Sequence, residues 1–231
     1  MKTATFATNG SMLKRELCLK TEACLPKQDL KGQSVAVIGL GKSGIAAAKL
    51  ALARGASVLA FDQNETLRPL EQNILNAKDG NLKTILGGFD HKLLDVADLI
   101  VVSPGVPLEN YGLASMLQSG KRVMAELDFA AQVLPRCTKV LAVTGTNGKS
   151  TVATFAGQML SHLNIETFVG GNLGVPLSEA ALQCLKSSRR PFQVAVVEVS
   201  SYQLEIPNKR FSPSVSRAHL VSQTFILIIL E

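Results

Sequence analysis

Histidine, cysteine and long apolar runs are scarce in this 231-residue chain, and each scarcity removes a class of function. The three histidines, His91, His162 and His219, show no metal-ligand spacing, so a histidine-built metal centre is not expected. The four cysteines, Cys18, Cys24, Cys137 and Cys184, lie far apart with no C-x-x-C pair. A chain of this size needs no disulfide staples, so the pattern fits a reducing compartment and argues against a disulfide scaffold. No run of about 18 apolar residues exists to span a bilayer. Lysine and arginine are scattered rather than gathered into a stripe interleaved with aromatics, so nucleic acid is not the expected partner despite a formal net charge of +6.

What the chain does have is a globular composition, 46% hydrophobic and 18% charged, with length for one large or two ordinary α/β domains. The positive balance suits anionic ligands. The most telling stretch is Val140-Leu141-Ala142-Val143-Thr144-Gly145-Thr146-Asn147-Gly148-Lys149-Ser150-Thr151. A short apolar strand runs into a glycine turn, and Lys149-Ser150-Thr151 opens a helical pattern, which presents backbone N–H groups at a helix N-terminus to an anion. Lys149 adds a mobile point charge for a β- or γ-phosphate, and the Ser150 hydroxyl has the hardness and length to touch Mg²⁺. The general phosphate loop G-x-x-x-x-G-K-[ST] would place its first glycine at Val143, whereas here it stands at Gly145.

An earlier stretch carries a second nucleotide signal. Ser34 to Ile38 reads as a buried strand, Gly39-Leu40-Gly41-Lys42-Ser43-Gly44 as the turn into an alanine-rich helix over 45–54, and Ser57 to Phe61 as the next strand, ending at Asp62. This is a βαβ unit with G-x-G-x-x-G and an acid near the expected distance. By itself it predicts NAD, although the glycines report only a phosphate close to a helix N-terminus. Asp62 equally serves as a turn cap.

The alternation continues with a helix near 67–77, a strand at 83–86, a Gly87-Gly88 turn and a buried strand at 98–102. The stiff loop Ser103-Pro104-Gly105-Val106-Pro107 follows, either a ligand loop at a strand's carboxyl end or a plain turn. A helix near 114–119, a strand at 122–124, a helix start at 125–129 and a Pro135-Arg136 linker complete the first half. The second half runs from a strand at 138–143 through a helix at 149–163, a strand at 166–169, a helix at 177–185 and a strand at 193–199. Gly170-Gly171-Asn172-Leu173-Gly174-Val175-Pro176 lets backbone approach a ligand with the Asn172 amide pointing at it, or merely satisfies a loop needing positive φ. Glu198, near the end of an apolar strand, is placed either to hold Mg²⁺ or to sit as a paired strand end.

Taken together, the Gly39 to Gly44 turn, Ser103-Pro104-Gly105, the Gly145 to Thr151 loop, Gly170 to Gly174 and Val197-Glu198-Val199-Ser200-Ser201-Tyr202-Gln203-Leu204-Glu205 resemble the Mur ligase family over about residues 33–211. Within it they are most similar to the branch that adds D-glutamate to UDP-N-acetylmuramoyl-L-alanine. The resemblance implies a Rossmann-like parallel-sheet domain over 34–136 that holds the UDP substrate, with Gly39, Gly41, Lys42, Ser43, Asp62, Ser103, Pro104, Gly105 and Asn172 facing it. It implies a P-loop-type α/β ATPase domain, incomplete, over 137–215, binding ATP through Gly145, Thr146, Asn147, Gly148, Lys149, Ser150 and Thr151. Lys149 and Glu198 become catalytic, with Ser150 and Glu198 on Mg²⁺. The implied reaction is stepwise: the muramoyl-alanine carboxylate takes the γ-phosphoryl group of ATP, and the amine of D-glutamate displaces phosphate from the acyl phosphate. The implied protein is a cytoplasmic monomer with no membrane or nucleic-acid partner. A non-catalytic UDP-sugar and ATP-binding module is the alternative, and an NAD-dependent oxidoreductase a third.

Residues 1–33 are basic and hydroxyl-bearing but contain Glu16, Glu22 and Asp29, and are expected to be a poorly ordered leader or a transit segment, the latter implying a plastid. After Val215 the family pattern calls for Asn-x-x-x-Asp-His, then a lysine that becomes carbamylated, then a D-glutamate-binding domain. Residues 216–231 match none of these, and His219 has the wrong neighbours to be the family histidine. The change at 216 fits a frame change, unspliced sequence or truncated gene model, so this chain alone is expected not to ligate. Its apolar run Phe225 to Leu230 is an expected aggregation site.

Overall fold

In a computed structural model of the chain, residues 29–72, 74, 80–88, 91–135, 138–187, 191–206, 219–221 and 224–226 are described. The first sheet contains β1 (Ser34–Ile38), β2 (Ser57–Asp62), β3 (Leu82–Leu86), β4 (Leu99–Val102) and β5 (Val123–Ala125), in the order β3-β2-β1-β4-β5. All four pairings are parallel. Parallel strands covered on both faces read as near-continuous apolar runs, and β4, Leu-Ile-Val-Val, is buried at every position. Between these strands lie α1 (Lys42–Ala53), α2 (His91–Val96) and α3 (Leu113–Gln118), and α4 (Glu126–Ala131) follows β5 directly.

The second sheet is three-stranded: β6 (Lys139–Val143), β7 (Thr167–Gly171) and β8 (Val194–Glu198), in the parallel order β6-β8-β7. Helices α5 (Lys149–His162) and α6 (Leu177–Lys186) make the crossovers, and α7 (Ser201–Glu205) follows β8. An antiparallel pair, β9 (His219–Val221) with β10 (Thr224–Ile226), forms a third sheet. The architecture is therefore α/β, a Rossmann-like parallel sheet followed by a second parallel α/β unit, as the strand and helix alternation implies.

The two units share one core. Alanines Ala47, Ala48 and Ala51 of α1 and Ala180 and Ala181 of α6 are buried in a single cluster with Val37, Phe129 and Val197. Small side chains on facing helices allow the close approach by which α6 packs on both α1 and α4. Helix α5 is different. Its inner face contributes Ala153 to a small cluster with Val143 and Val196, while Phe155, Met159 and Leu163, one turn apart on its outer side, are 60%, 68% and 69% exposed.

Several differences from the sequence expectations have local causes. Over 67–77 the described residues show only a 3-10 turn, Leu70–Gln72, tied down by Leu70 N–H donating to the Thr84 hydroxyl at 3.0 Å; residues 73 and 75–77 lie outside the described set. Helices α2 and α7 were not expected from the sequence. Asp29 and Leu30, assigned to the leader by sequence, belong to the packed unit. Leu30 is 5% exposed, and Asp29 makes a two-pronged ion pair with Arg54 at 3.0 and 2.8 Å. Arg54 itself lies 4.7 Å over the Phe129 ring, stapling the end of α1 to α4. Residues 1–28, the linker at Arg136 and the run 227–230 lie outside the described residues.

Candidate functional site

Open parallel sheets bind ligands where the strand order reverses, at the carboxyl ends of the strands. In the first sheet that point lies between β1 and β4, so the turn after β1 and the loop after β4 stand side by side. Gly39 has φ +86, a conformation that favours glycine. A Cβ on Gly44 would meet the Gly39 carbonyl oxygen at 1.8 Å and Ser103 Oγ at 2.7 Å. The third glycine of the motif thus exists to let α1 touch the turn. The Ser103 hydroxyl donates to the Gly39 carbonyl at 2.7 Å, joining the two loops. Asp62 accepts from the Leu40 amide at 2.6 Å and, through its other oxygen, from the Asn64 amide at 2.9 Å. Both Ser103 and Asp62 therefore shape the glycine turn from within, the turn-cap role that local chemistry allowed for Asp62.

In the second unit, Gly148 adopts the left-handed conformation, φ 76 and ψ 1, as the residue before α5. Lys149 folds back over its own loop and donates to the carbonyls of Gly145 at 2.8 Å and Thr146 at 3.3 Å. Glu198 ends the central strand β8, in register with Val143 on one side and Gly171 on the other. It is 3% exposed. The Asn172 amide N–H donates to the Glu198 carbonyl at 2.8 Å, and Asn172 Nδ2 reaches Glu198 Oε1 at 3.5 Å. Gly171 has φ +115, and a Cβ there would meet the Glu198 carbonyl oxygen at 2.4 Å. These contacts explain the glycines: β7 ends backbone against backbone.

The two loop systems open into one cavity of about 970 Å³. All nine residues expected to face a UDP substrate line it: Gly39, Gly41, Lys42, Ser43, Asp62, Ser103, Pro104, Gly105 and Asn172. From the phosphate loop Gly145, Thr146 and Lys149 do so, while Asn147, Gly148, Ser150, Thr151 and Glu198 do not. Val106, Tyr202 and Leu204, which stand in motifs read from the sequence but received no individual site role there, are also in the wall. A signal for the last two was present: Ser200-Ser201-Tyr202-Gln203 is an S-x-x-Q capping box, with the Gln203 amide donating to Ser200 Oγ at 3.4 Å and Ser200 N–H to Gln203 Oε1 at 2.8 Å. That box starts α7 and points Tyr202 and Leu204 toward the opening.

Electrostatics mark two further groups. Tyr111 holds φ 63, a positive value uncommon outside glycine. Burial, and then the negative charge of Asp62, push its hydroxyl above the usual tyrosine range. Glu126, the first residue of α4, is fully buried; desolvation raises its carboxyl to about 7, against the lowering effect of the Ser178 amide. No group of three or more His, Cys, Asp or Glu side chains able to hold a metal exists among the described residues. Ser150 and Glu198 nevertheless offer hard oxygens, and Mg²⁺ takes one or two such ligands beside phosphate and water. The donors fit Mg²⁺ as part of a phosphate complex. No helix among the described residues is long and apolar enough to cross a membrane.

Residues 33–125 match the model of the Mur ligase MurD-like N-terminal domain, and residues 143–216 the Mur ligase middle domain. The chain is 38% identical over 188 residues to the UDP-N-acetylmuramoylalanine-D-glutamate ligase of Geotalea daltonii, covering 81% of this chain and 40% of that protein. It is 42% identical over 177 residues to the enzyme of the same name from Anaeromyxobacter dehalogenans, covering 77% of this chain and 36% of that one. The chain thus spans about two fifths of the length of these curated relatives. Among solved structures it is similar to a murein peptide ligase, Mpl, from Psychrobacter arcticus, with 23% identity, 74% of this chain and 38% of that chain covered, and a TM-score of 0.43.

Proposed function

The chain belongs to the Mur ligase family, and from that premise we propose that its two units serve the ATP-dependent joining of D-glutamate to UDP-N-acetylmuramoyl-L-alanine in peptidoglycan precursor synthesis. The observation that carries this reading is the single cavity walled on one side by the Gly39 and Ser103 loops and on the other by Gly145, Thr146, Lys149 and Asn172. One ligand seated on each wall would bring a substrate carboxylate and a triphosphate together.

A carboxylate is a poor acylating agent, so its oxygen first attacks the γ-phosphorus and ADP leaves. The amine of D-glutamate then attacks the resulting acyl phosphate, forming the amide bond, and inorganic phosphate leaves. The protein's part is to hold two anions in contact while charge builds on the phosphoryl oxygens. Lys149 serves this by exchanging two loop carbonyls for phosphate oxygens, so its charge is already in place before ATP arrives. The loop amides at the start of α5 add fixed partial positive charge. When bound, Mg²⁺ held by Ser150 and Glu198 would neutralise phosphoryl charge. Ser43 and Lys42, at the N-terminus of α1, face the UDP diphosphate.

Separate titrations of the chain with UDP-N-acetylmuramoyl-L-alanine, ATP with Mg²⁺, and NAD test the reading. Saturable binding of the first two and not the third is expected. Lys149→Ala should weaken ATP at least about tenfold and leave the UDP ligand far less affected, because among the described residues the lysine's hydrogen bonds go to its own loop. NAD binding without UDP-substrate binding would overturn the proposal in favour of an oxidoreductase.

A further inference from the structure

Helix α6 begins at a proline, Pro176, which has no side chain able to cap it, and no side-chain cap is present there. Its first-turn amides still need acceptors, because the N-terminal turn of a helix leaves its N–H groups without intrahelical partners. At Ser178, wholly buried and out of reach of water, the acceptor comes from the other unit: Glu126 Oε1 takes the Ser178 N–H at 2.7 Å across 52 residues of sequence. The second oxygen, Oε2, is buried with no hydrogen-bond partner. Burying a carboxylate here is costly, and hydrophobic packing alone could have joined α4 to α6. The carboxyl oxygen does what a cap does, from a different sheet.

We propose that Glu126 is a positioning residue that holds the second unit's Asn172 loop in register with the first unit's glycine turn, so that one ligand can touch both walls of the cavity. The connection is short and stiff. Ser178 stands two residues beyond Pro176, and the Val175 carbonyl before it accepts the Gly171 N–H at 2.9 Å. Asn172, next in line, is bonded through its amide to Glu198. A Cβ at Gly170 would meet the Val175 carbonyl oxygen at 2.2 Å, so the two backbone segments lie in close contact there. Movement of the α6 terminus is therefore passed to Asn172 and Leu173 in the cavity wall. On the other side, Glu126 follows β5 directly and is fixed to the first sheet.

This inference rests on the proposed UDP-substrate reading, and two ligands separate the two. Free UDP would touch the first unit alone, whereas UDP-N-acetylmuramoyl-L-alanine would extend to Asn172. Affinities of both for the 231-residue chain are compared by calorimetry in wild type, Glu126→Gln, which keeps an acceptor oxygen, and Glu126→Ala and Glu126→Asp, which remove or withdraw it. Each is measured well below the variant's own unfolding midpoint. The Ala and Asp variants should bind UDP within about twofold of wild type but lose about tenfold for the muramoyl ligand. Gln should retain both. Equal losses for both ligands, or none, in Ala and Asp would refute the positioning role; should Ala fail to fold, Asp alone decides. A wild-type chain that binds the muramoyl ligand no more tightly than UDP would instead sink the functional reading.

Discussion

Replacing Glu126 by glutamine should flatten one component of the protein's pH–stability profile. The folded chain raises this carboxyl from its ordinary 4.5 to about 7 because burial penalises the charge more than the Ser178 contacts favour it. A folded-state value above the unfolded one means the native chain binds the proton more tightly. The stabilisation is therefore complete below about pH 4.5 and is lost as pH rises through about 7. At about 1.4 kcal/mol per tenfold change in proton affinity, the difference between pH 5 and pH 8 is on the order of 2 to 3 kcal/mol. Glutamine is uncharged throughout and its amide oxygen can still accept the Ser178 N–H, so the variant keeps the contact and loses the titration. Urea unfolding of both proteins near pH 5 and near pH 8, at constant ionic strength, reads the effect. Wild type should lose on the order of 2 to 3 kcal/mol more than the variant on going to the higher pH. Glu71 and Asp98, whose values are lowered, act in the opposite sense at lower pH and cancel in the comparison. Parallel pH profiles would show that the carboxylate is solvated or paired, and the account of the α4 to α6 contact would fall with it.

Gly44→Ala should be among the most damaging single-methyl additions, since its Cβ would sit 1.8 Å from the Gly39 carbonyl oxygen; a loss of about 3 kcal/mol or more, with loss of UDP binding, is expected in chemical unfolding and titration. Asp29→Asn removes the charge partner of an Arg54 that is 3% exposed, and about 2 to 4 kcal/mol of stability should go with it, measurable by thermal or urea unfolding. A neutral result would mean that stacking on Phe129 suffices.

The parallel sheets were legible because both faces of their strands are buried, which writes continuous apolar runs such as Leu99 to Val102 into the sequence. The glycine loops were legible because their backbone demands leave few residue choices, as at Gly39, Gly44 and Gly171. What could not be read depends on partners distant in sequence. Asp62, readable as a ligand acid or a turn cap, lines the cavity and gives an oxygen to the Leu40 amide, 22 residues away, and Glu126, readable only as part of a helix start, acquires its role when Ser178 is brought to it. That a single cavity joins Lys42 and Lys149 follows from how α6 packs on α1, where alanines give no periodic signal beyond helix. Helix α7 was a different failure. Its capping box stands in plain sight at Ser200 and Gln203, hidden only because five residues are too few for a hydrophobic period to show.

The outer side of α5 has a practical consequence for anyone handling this polypeptide. Phe155, Met159 and Leu163 form a greasy ridge along one flank, each more than half wetted, and water gains about 25 cal/mol for each Å² of such surface that two molecules hide from it. Purified material is therefore expected to scatter more light per molecule as it is concentrated. Charged replacements along the ridge should keep it dispersed without disturbing either ligand wall.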